Sequence, residues 1–497
     1  MSSEKNIQRQ SHKRAFSLIG TSLIGEGVVM AGCLVPAVHY ADGTWWRILL
    51  GVVLTIASGV MLRRLRIERV RFFGIGEGDT RSSYVIVALV WLLMTLYGTL
   101  PFVLTGSVAS FTDAFFESMS GLTSTGATIY QNVELLPPSV LLWRSLSQWF
   151  GGFGIILLVL AIVPKMGMNK YSLYTAEASG ADNAGKSTGS VRITVQRTLF
   201  VYVLLTIVFV VLLYLSGMTL WEAVNLTFTN ISTGGFSIYA DSVARFTPVQ
   251  QYLLAASMFL GGVNFALLYN LITFKWRKLS HKLDQFGFYV VVIIVSVSFV
   301  VAALRFFHGY GWSEAVRLGV VQTMSVITTT GSVVADTNLW WTPVVFLFLV
   351  LSLCGGMAGS TTGGVKVMRV LILFRNVRNS LVNRLHPHAY NPVRLNGKPV
   401  SAGIITNINV IFVVYAVTMV VSLLLLMVFG VAATEALGAV FGCLTAYGPG
   451  LGVCGGFGSY ASFPIIAKWL LSFLMILGRL ECLTILILFL PGFWRNR

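Results

Sequence analysis

Thr123-Ser124-Thr125-Gly126-Ala127-Thr128, Ser232-Thr233-Gly234-Gly235-Phe236-Ser237, Thr328-Thr329-Thr330-Gly331-Ser332-Val333 and Thr445-Ala446-Tyr447-Gly448-Pro449-Gly450 are four short glycine-bearing segments set between long apolar runs. Each follows a helix-like stretch too short to span a bilayer and precedes one long enough to do so. Four copies in one polypeptide predict four walls of a single pore. Rings of backbone carbonyls can replace an ion's hydration shell. Glycine takes positive φ without a steric penalty, so successive carbonyls can aim at one axis. The candidate ion-coordinating residues, acting mostly through backbone carbonyls, are Ser124, Thr125 and Gly126; Thr233, Gly234 and Gly235; Thr329, Thr330 and Gly331; and Ala446, Tyr447 and Gly448.

Composition supports a membrane setting. The chain has 497 residues, 56% apolar and only 11% charged, against about 45–50% and about 25% in soluble domains. Its apolar runs reach the roughly 20 residues needed to cross a hydrocarbon core. This predicts a polytopic, all-α membrane protein and excludes a soluble one. The net charge of +17 would suggest nucleic acid in a soluble protein, but the basic residues flank apolar runs and set topology instead. The five cysteines, Cys33, Cys354, Cys443, Cys454 and Cys482, form no CxxC pair and no metal spacing, so no disulfide framework is expected. Lys5, Arg9, Lys13 and Arg14 precede an apolar run that mimics a signal peptide, and Met30-Ala31-Gly32-Cys33 resembles a lipoprotein cleavage box. The run is too long for that, contains Glu26 and continues past Cys33, which predicts an uncleaved helix.

Two helices are expected near 16–40 and 45–62, after which one unit repeats: spanning helix, short helix, glycine segment, spanning helix. The copies cover roughly 83–165, 195–275, 284–380 and 403–494. The expected architecture is a fourfold pseudosymmetric set of repeats behind an N-terminal two-helix hairpin, with ten full transmembrane spans. The corresponding divisions are 1–82, 83–194, 195–283, 284–402 and 403–497. The repeat keeps a register. Asp113, Glu222 and Glu435 each lie 13 residues before the glycine of their segment, while Glu314 lies 17 before Gly331, about one more helical turn. Gly151-Gly152, Gly261-Gly262, Gly355-Gly356 and Gly478 recur along the second helices. They suit either close helix packing or a shared position in a pore wall.

Lysine and arginine bias sets orientation. With the N-terminus inside, inner segments hold 28 of 35 basic residues, and the outer side holds six: Arg47, Arg144, Arg245, Arg305, Arg317 and Lys468. Both termini are therefore expected in the cytoplasm, with the glycine segments opening outward. The outer side also carries nine of 18 acids, a mildly negative mouth that would concentrate cations. Four of those acids begin the short helices, where they suit the helix dipole.

Two candidate sites lie below the glycine segments. Gly355, Gly356, Gly359, Gly363 and Gly364, with Ser360, Thr361 and Thr362 among them, make a poor helix interior, since each glycine costs about 1 kcal/mol relative to alanine. Non-helical backbone at membrane depth is tolerated only where buried in protein or lining water. Residues 355–364 are therefore expected to form an intramembrane gate loop; a flexible kink is the alternative. A phosphate-binding loop is excluded, because the lysine of that motif is missing after the last required glycine. Arg479 lies deep in the apolar run 464–491, where arginine costs about 2.5–3.5 kcal/mol on insertion scales and usually faces a cavity. It is expected to face the pore, repelling cations and holding loop carbonyls. A structural ion pair with another helix is the alternative. Glu481, two positions away, points elsewhere on a helix and needs another partner. His386 and His388 lack further ligands nearby, and Trp45-Trp46 and Trp340-Trp341 fit an interfacial belt.

These residues resemble the Trk/Ktr/HKT potassium transporter superfamily, and most of all its bacterial TrkH-type membrane subunits. The likeness runs over nearly the whole chain. It includes Phe111-Thr112-Asp113-Ala114-Phe115-Phe116-Glu117, Ile231-Ser232-Thr233-Gly234-Gly235-Phe236, Thr328-Thr329-Thr330-Gly331 and Gly478-Arg479-Leu480-Glu481. It also includes Gly355-Gly356-Met357-Ala358-Gly359-Ser360-Thr361-Thr362-Gly363-Gly364-Val365-Lys366, and the extra N-terminal hairpin separates the TrkH type from the shorter Ktr type. The resemblance implies K+ uptake across a bacterial inner membrane, K+ in the filter with no covalently bound cofactor, a homodimer, and a cytosolic ring of nucleotide-binding regulatory subunits. In plant relatives, serine at the first filter glycine goes with sodium transport; Gly126 here favours K+, with Rb+ as its close substitute. The fourth segment, Tyr447-Gly448-Pro449, departs most from the others.

Two other classes compete with a channel-like pore. A symporter coupling K+ to Na+ or H+ would want buried ionisable groups at midplane and inverted halves; the repeats are parallel, and the mid-span carboxylates are Glu26 and Glu481. A membrane enzyme would need a convergent nucleophile, base or metal set, which six scattered histidines do not provide.

Overall fold

The short helices fold as their caps dictate. Ser110 precedes Phe111–Leu122 (α6 in chain order) and its side chain accepts from Asp113 N at 3.1 Å. Thr219 and Glu222 form a reciprocal capping box at the start of Leu220–Ile231. Glu314 and Glu435 occupy the same third position in Trp312–Ile327 and Ala433–Leu444. All four acids sit three residues into a helix, where a negative charge suits the dipole, and Glu222 also accepts from Thr219 N at 2.9 Å. Three of these helices have 12 residues and the third has 16, the extra turn expected from the spacing of Glu314.

The computed structural model describes residues 2–64, 80–162, 188–274, 283–386 and 391–494. In chain order the long helices before α6 are α1 (Ser2–Ala31), α3 (Trp45–Arg64) and α4 (Thr80–Gly98), with short α2 (Leu34–His39) and α5 (Leu100–Thr105) between them. Helix α7 (Pro138–Ile162) follows α6. Beyond it lie α8 (Thr188–Leu215), α9 (Leu220–Ile231), α10 (Pro248–Gly261), α11 (Phe265–Ile272), α12 (Leu283–Phe307) and α13 (Trp312–Ile327). The chain continues through α14 (Thr342–Cys354), α15 (Val367–Leu385), α16 (Ala402–Val428), α17 (Ala433–Leu444) and α18 (Ile465–Arg479). A two-residue hairpin, Arg394–Leu395 against Lys398–Pro399, lies between α15 and α16.

Among the described residues six helices are long and apolar enough to cross a membrane, and eight if each bent pair counts as one span. The expectation of unbroken second helices needs correction. α10 and α11 meet at 106°, and α18 bends by 111° into Leu483–Phe489. Gly261 and Gly262 end the first of these, and Asn264 caps the restart through Leu267 N at 3.1 Å. α18 ends in a turn with Glu481 at φ +57° and Cys482 N bonded to Leu477 O at 2.8 Å. In the third unit residues 355–366 separate α14 from α15. Helix α7 runs through Gly151 and Gly152 without a break.

Buried apolar side chains stitch neighbouring units together. Tyr202, Leu226, Met258, Tyr289, Val326 and Met357 share one cluster across the second and third units. Leu23, Trp91, Phe116, Leu444 and Leu474 share another, joining the first helix to the first and fourth units. Lys468 reinforces that seam through Asp113 at 2.6 Å. Much of the basic sequence expected on the inner side, at 65–79, 165–187 and 275–282, and His388 fall outside the described residues. His386 is described and exposed.

Candidate ion path and gate

All four short helices end in the same turn. Ser124 N bonds to Gly121 O at 2.9 Å and Thr125 N to Ser120 O at 2.9 Å. The same pair of bonds recurs at Thr233 and Gly234, at Thr329 and Thr330, and at Ala446 and Tyr447. This helix ending requires a left-handed residue, for which glycine is usual. Here Ser124, Thr233, Thr329 and Ala446 take it, with φ between +52° and +56°. A β-branched residue there is strained, and such strain persists only where the surroundings over-determine it. Two residues on, Gly126, Gly235, Gly331 and Gly448 are also left-handed, with φ from +74° to +93°.

The glycines lie against the neighbouring turn. A Cβ built on Gly126 would collide with the carbonyl oxygen of Gly234. Gly235 stands in the same relation to Thr330 O, Gly331 to Tyr447 O, and Gly448 to Thr125 O. The sequence of neighbours returns to its start, so the turns form a closed ring in chain order. The four glycines line one cavity of about 60 Å³. The residues predicted to coordinate ions are thus brought together, and their threonine and serine side chains are buried.

Each turn is anchored differently from behind. Arg144 and Glu117 are buried and paired at 2.8 Å. Arg144 also donates to Ser237 O at 2.7 Å and Thr128 Oγ1 at 3.2 Å, and Glu117 accepts from Ile129 N at 3.0 Å. Gln148 bonds the second turn, Gln322 Oε1 accepts from Val334 N at 3.1 Å beyond the third, and Tyr460 donates to Gly448 O at 2.8 Å. Charge counting assigned Arg144 and Lys468 to the outer side without a partner; both are buried in ion pairs. The available signal was their position inside apolar helices rather than in loops.

The glycine-rich segment 355–366 packs under the ring as irregular, mostly buried backbone. Gly355, Gly359 and Gly364 have positive φ. Met357 N bonds to Gly262 O at 2.9 Å and Phe265 N to Gly359 O at 3.1 Å, which uses the backbone freed by the break after α10. Thr361 Oγ1 donates to Ile231 O at 3.0 Å and accepts from Thr233 Oγ1 at 3.3 Å. Gly363 N donates to Thr329 Oγ1 at 2.7 Å, and Gly364 N to Thr445 O at 2.9 Å. Thr362 Oγ1 accepts from Gly356 N at 3.1 Å and lies 2.8 Å from Ser360 Oγ.

Arg479 completes the set. It is 6% exposed and donates to Thr361 O at 2.8 Å, to Ser124 Oγ at 3.3 Å and to Gly151 O at 3.3 Å. The loop and Arg479 together touch the inner end of every turn in the ring. Glu481 bonds elsewhere, to Arg369 on α15 at 2.7 Å. Among the described residues no three His, Cys, Asp or Glu side chains converge as metal ligands, so the ring presents mainly carbonyl and hydroxyl oxygens.

Comparison with known proteins adds independent findings. Residues 71–495 match the TrkH family model, described as a cation transport protein. The chain is 30% identical over 487 residues to the Trk system potassium uptake protein TrkH of Halomonas elongata, covering 96% of this chain and 98% of that one. It is 34% identical over 424 residues to the TrkH of Escherichia coli K12, covering 85% and 87%. The crystal structure of the potassium transporter TrkH from Vibrio parahaemolyticus superposes with a TM-score of 0.86 at 29% identity, covering 97% of this chain and 99% of that chain.

Proposed function

Because this chain belongs to the TrkH family of cation transport proteins, we propose that it takes up K+, and Rb+ in its place, through a channel-like pore lined by the four glycine turns. It is a transporter rather than an enzyme. The observation that carries the reading is the closed ring of carbonyl-bearing turns with a hydrogen-bonded loop beneath it. Four helix C-terminal ends aim partial negative charge at the ring. Carbonyl cages of this kind replace the hydration shell of a cation. The units at 83–194, 195–283, 284–402 and 403–497 are read as four pseudosymmetric repeats behind the segment 1–82, with ten spans when each broken helix counts once. The chain works in a bacterial inner membrane with both termini in the cytoplasm, as a homodimer on a nucleotide-binding regulatory ring.

The loop at 355–364 is the gate, and Arg479 is its latch. A docked loop fills the path below the ring, and the guanidinium adds a positive charge that raises the barrier for a cation. Symport with H+ or Na+ is the second reading. It is favoured by Glu26, a fully buried mid-span carboxylate whose two oxygens have no hydrogen-bond partner among the described residues. Rb+ uptake into proteoliposomes, with and without imposed H+ and Na+ gradients, tests both. Uptake driven by the Rb+ gradient alone, with K+ competing far better than Li+, supports the pore; strict dependence on a second gradient overturns it.

A further inference from the structure

Gln148 lies on α7 one helical turn beyond Arg144 and is fully buried. Its amide is divided between two backbone groups of the second turn. Nε2 donates to Gly234 O at 2.8 Å, and Oε1 accepts from Phe236 N at 3.0 Å. This pairing fixes which way the amide points, because only one orientation satisfies both groups. Arg144 on the same face donates to Ser237 O at 2.7 Å. One helix face therefore holds the second turn at three successive levels.

Gly234 O is one of the four carbonyls of the ring. The equivalent positions on the other second helices carry no amide. Counting three residues back from the recurrent glycines gives Gln148, Met258, Ser352 and Met475. Neither methionine nor serine offers the paired donor and acceptor of an amide across this spacing. The third and fourth turns are held at other levels, by Gln322 near Val334 and by Tyr460 at Gly448.

We infer that Gln148 is a positioning residue that sets cation specificity: its amide N–H fixes how far the Gly234 carbonyl can move toward the ion path. A carbonyl has two lone pairs, so Gly234 O can accept from Gln148 and still face an ion. The bond opposes collapse of that oxygen onto an ion smaller than K+. Without it, the ring closes on Na+ from one side. The inference rests on reading the four turns as an ion-selective ring.

The test is Rb+ uptake into proteoliposomes, in competition with unlabelled K+ and Na+, for two variants. Gln148→Leu removes both bonds. Gln148→Met, the residue at the equivalent position of the second and fourth second helices, also removes both bonds and adds no charge. Both should lower the preference for K+ over Na+ about fivefold, the equivalent of one net hydrogen bond, while Rb+ flux per monodisperse molecule stays comparable. Should the leucine variant fail to fold, the near-isosteric methionine variant decides. An unchanged preference overturns the inference, and so does a proportional loss of flux for all cations at constant preference. Gly126→Ser, run in parallel, separates the levels. If it too leaves preference unchanged, the ring reading fails; if it alone shifts preference, only the role of Gln148 fails.

Discussion

Replacing Arg479 with alanine should increase K+ flux. The guanidinium holds the gate loop chiefly through Thr361 O at 2.8 Å. A hydrogen bond from a charged donor contributes about 1.5–3 kcal/mol. The contacts to Ser124 Oγ and Gly151 O, each 3.3 Å, exceed the usual N–H···O range of about 2.7–3.2 Å and add less. Losing the Thr361 bond therefore shifts the docked-to-undocked ratio of the loop by about 10- to 150-fold. Removing the charge also lowers the barrier for a cation, in the same direction. If the docked loop limits transport, flux should rise about tenfold or more by that shift. A structural role predicts the reverse, since a buried charge left unpaired lowers stability. Here Glu481 already bonds Arg369, so alanine at 479 does not strand it. The assay is Rb+ flux per folded molecule at several K+ concentrations, with Arg479→Lys keeping the charge but not the planar fork. Alanine that lowers flux, with lysine restoring it, would refute the latch.

Gly126→Ser should reduce the preference for K+ over Na+, measured as the permeability ratio; a Cβ there meets Gly234 O at a φ of +84°, so the ring itself must shift. Deleting residues 359–362 should raise Rb+ flux in well-folded protein, because it removes Thr361 and its bonds to Ile231 O and Arg479; wild-type or lower flux counts against the gate. Asp42 offers a pH test outside the membrane. Burial pushes its carboxyl up, but bonds from Thr44 and Ser139 outweigh this and hold it below the usual carboxylate range. Its stabilisation is complete above an unfolded value of about 4 and is lost as pH falls through the lower folded value. The difference in unfolding temperature between wild type and Asp42→Asn should therefore be present at neutral pH and vanish in stronger acid.

The short helices were legible because their signals are local. Asp113, Glu222, Glu314 and Glu435 mark helix starts by placing a negative charge in the first turn, and their spacing to the glycines reported the longer third helix. The strained residues Ser124, Thr233, Thr329 and Ala446 were not legible as left-handed. Serine, threonine and alanine carry no such preference, and it is tertiary packing that imposes it. Hydropathy also hid the breaks after Gly261 and Arg479, because it counts transfer to lipid and not the continuity of a helix. Gln148 carries no local signal beside Arg144, Ser145 and Ser147, and its partners lie 86 and 88 residues away. Glu481 acquired its partner, Arg369, only through the fold.

Hydrogen bonds join the glycine-rich loop and Arg479 to all four turns of the ring. Gly363 and Gly364 hold the third and fourth turns, Thr361 the second, and Arg479 the first. On the proposed reading, a loop that left would break bonds at the inner end of the ring, so the ion sites there would differ between docked and undocked states. The two gate perturbations then separate. Arg479→Ala leaves the backbone bonds of Gly363 and Gly364 to Thr329 and Thr445 available, and each redocking restores them. Deleting residues 359–362 shortens the segment that spaces those bonds from Gly356. Flux should rise in both variants, while the K+/Na+ permeability ratio should fall in the deletion and hold near wild type in Arg479→Ala. Equal ratios in the two variants would mean that the loop obstructs the path without shaping the ring.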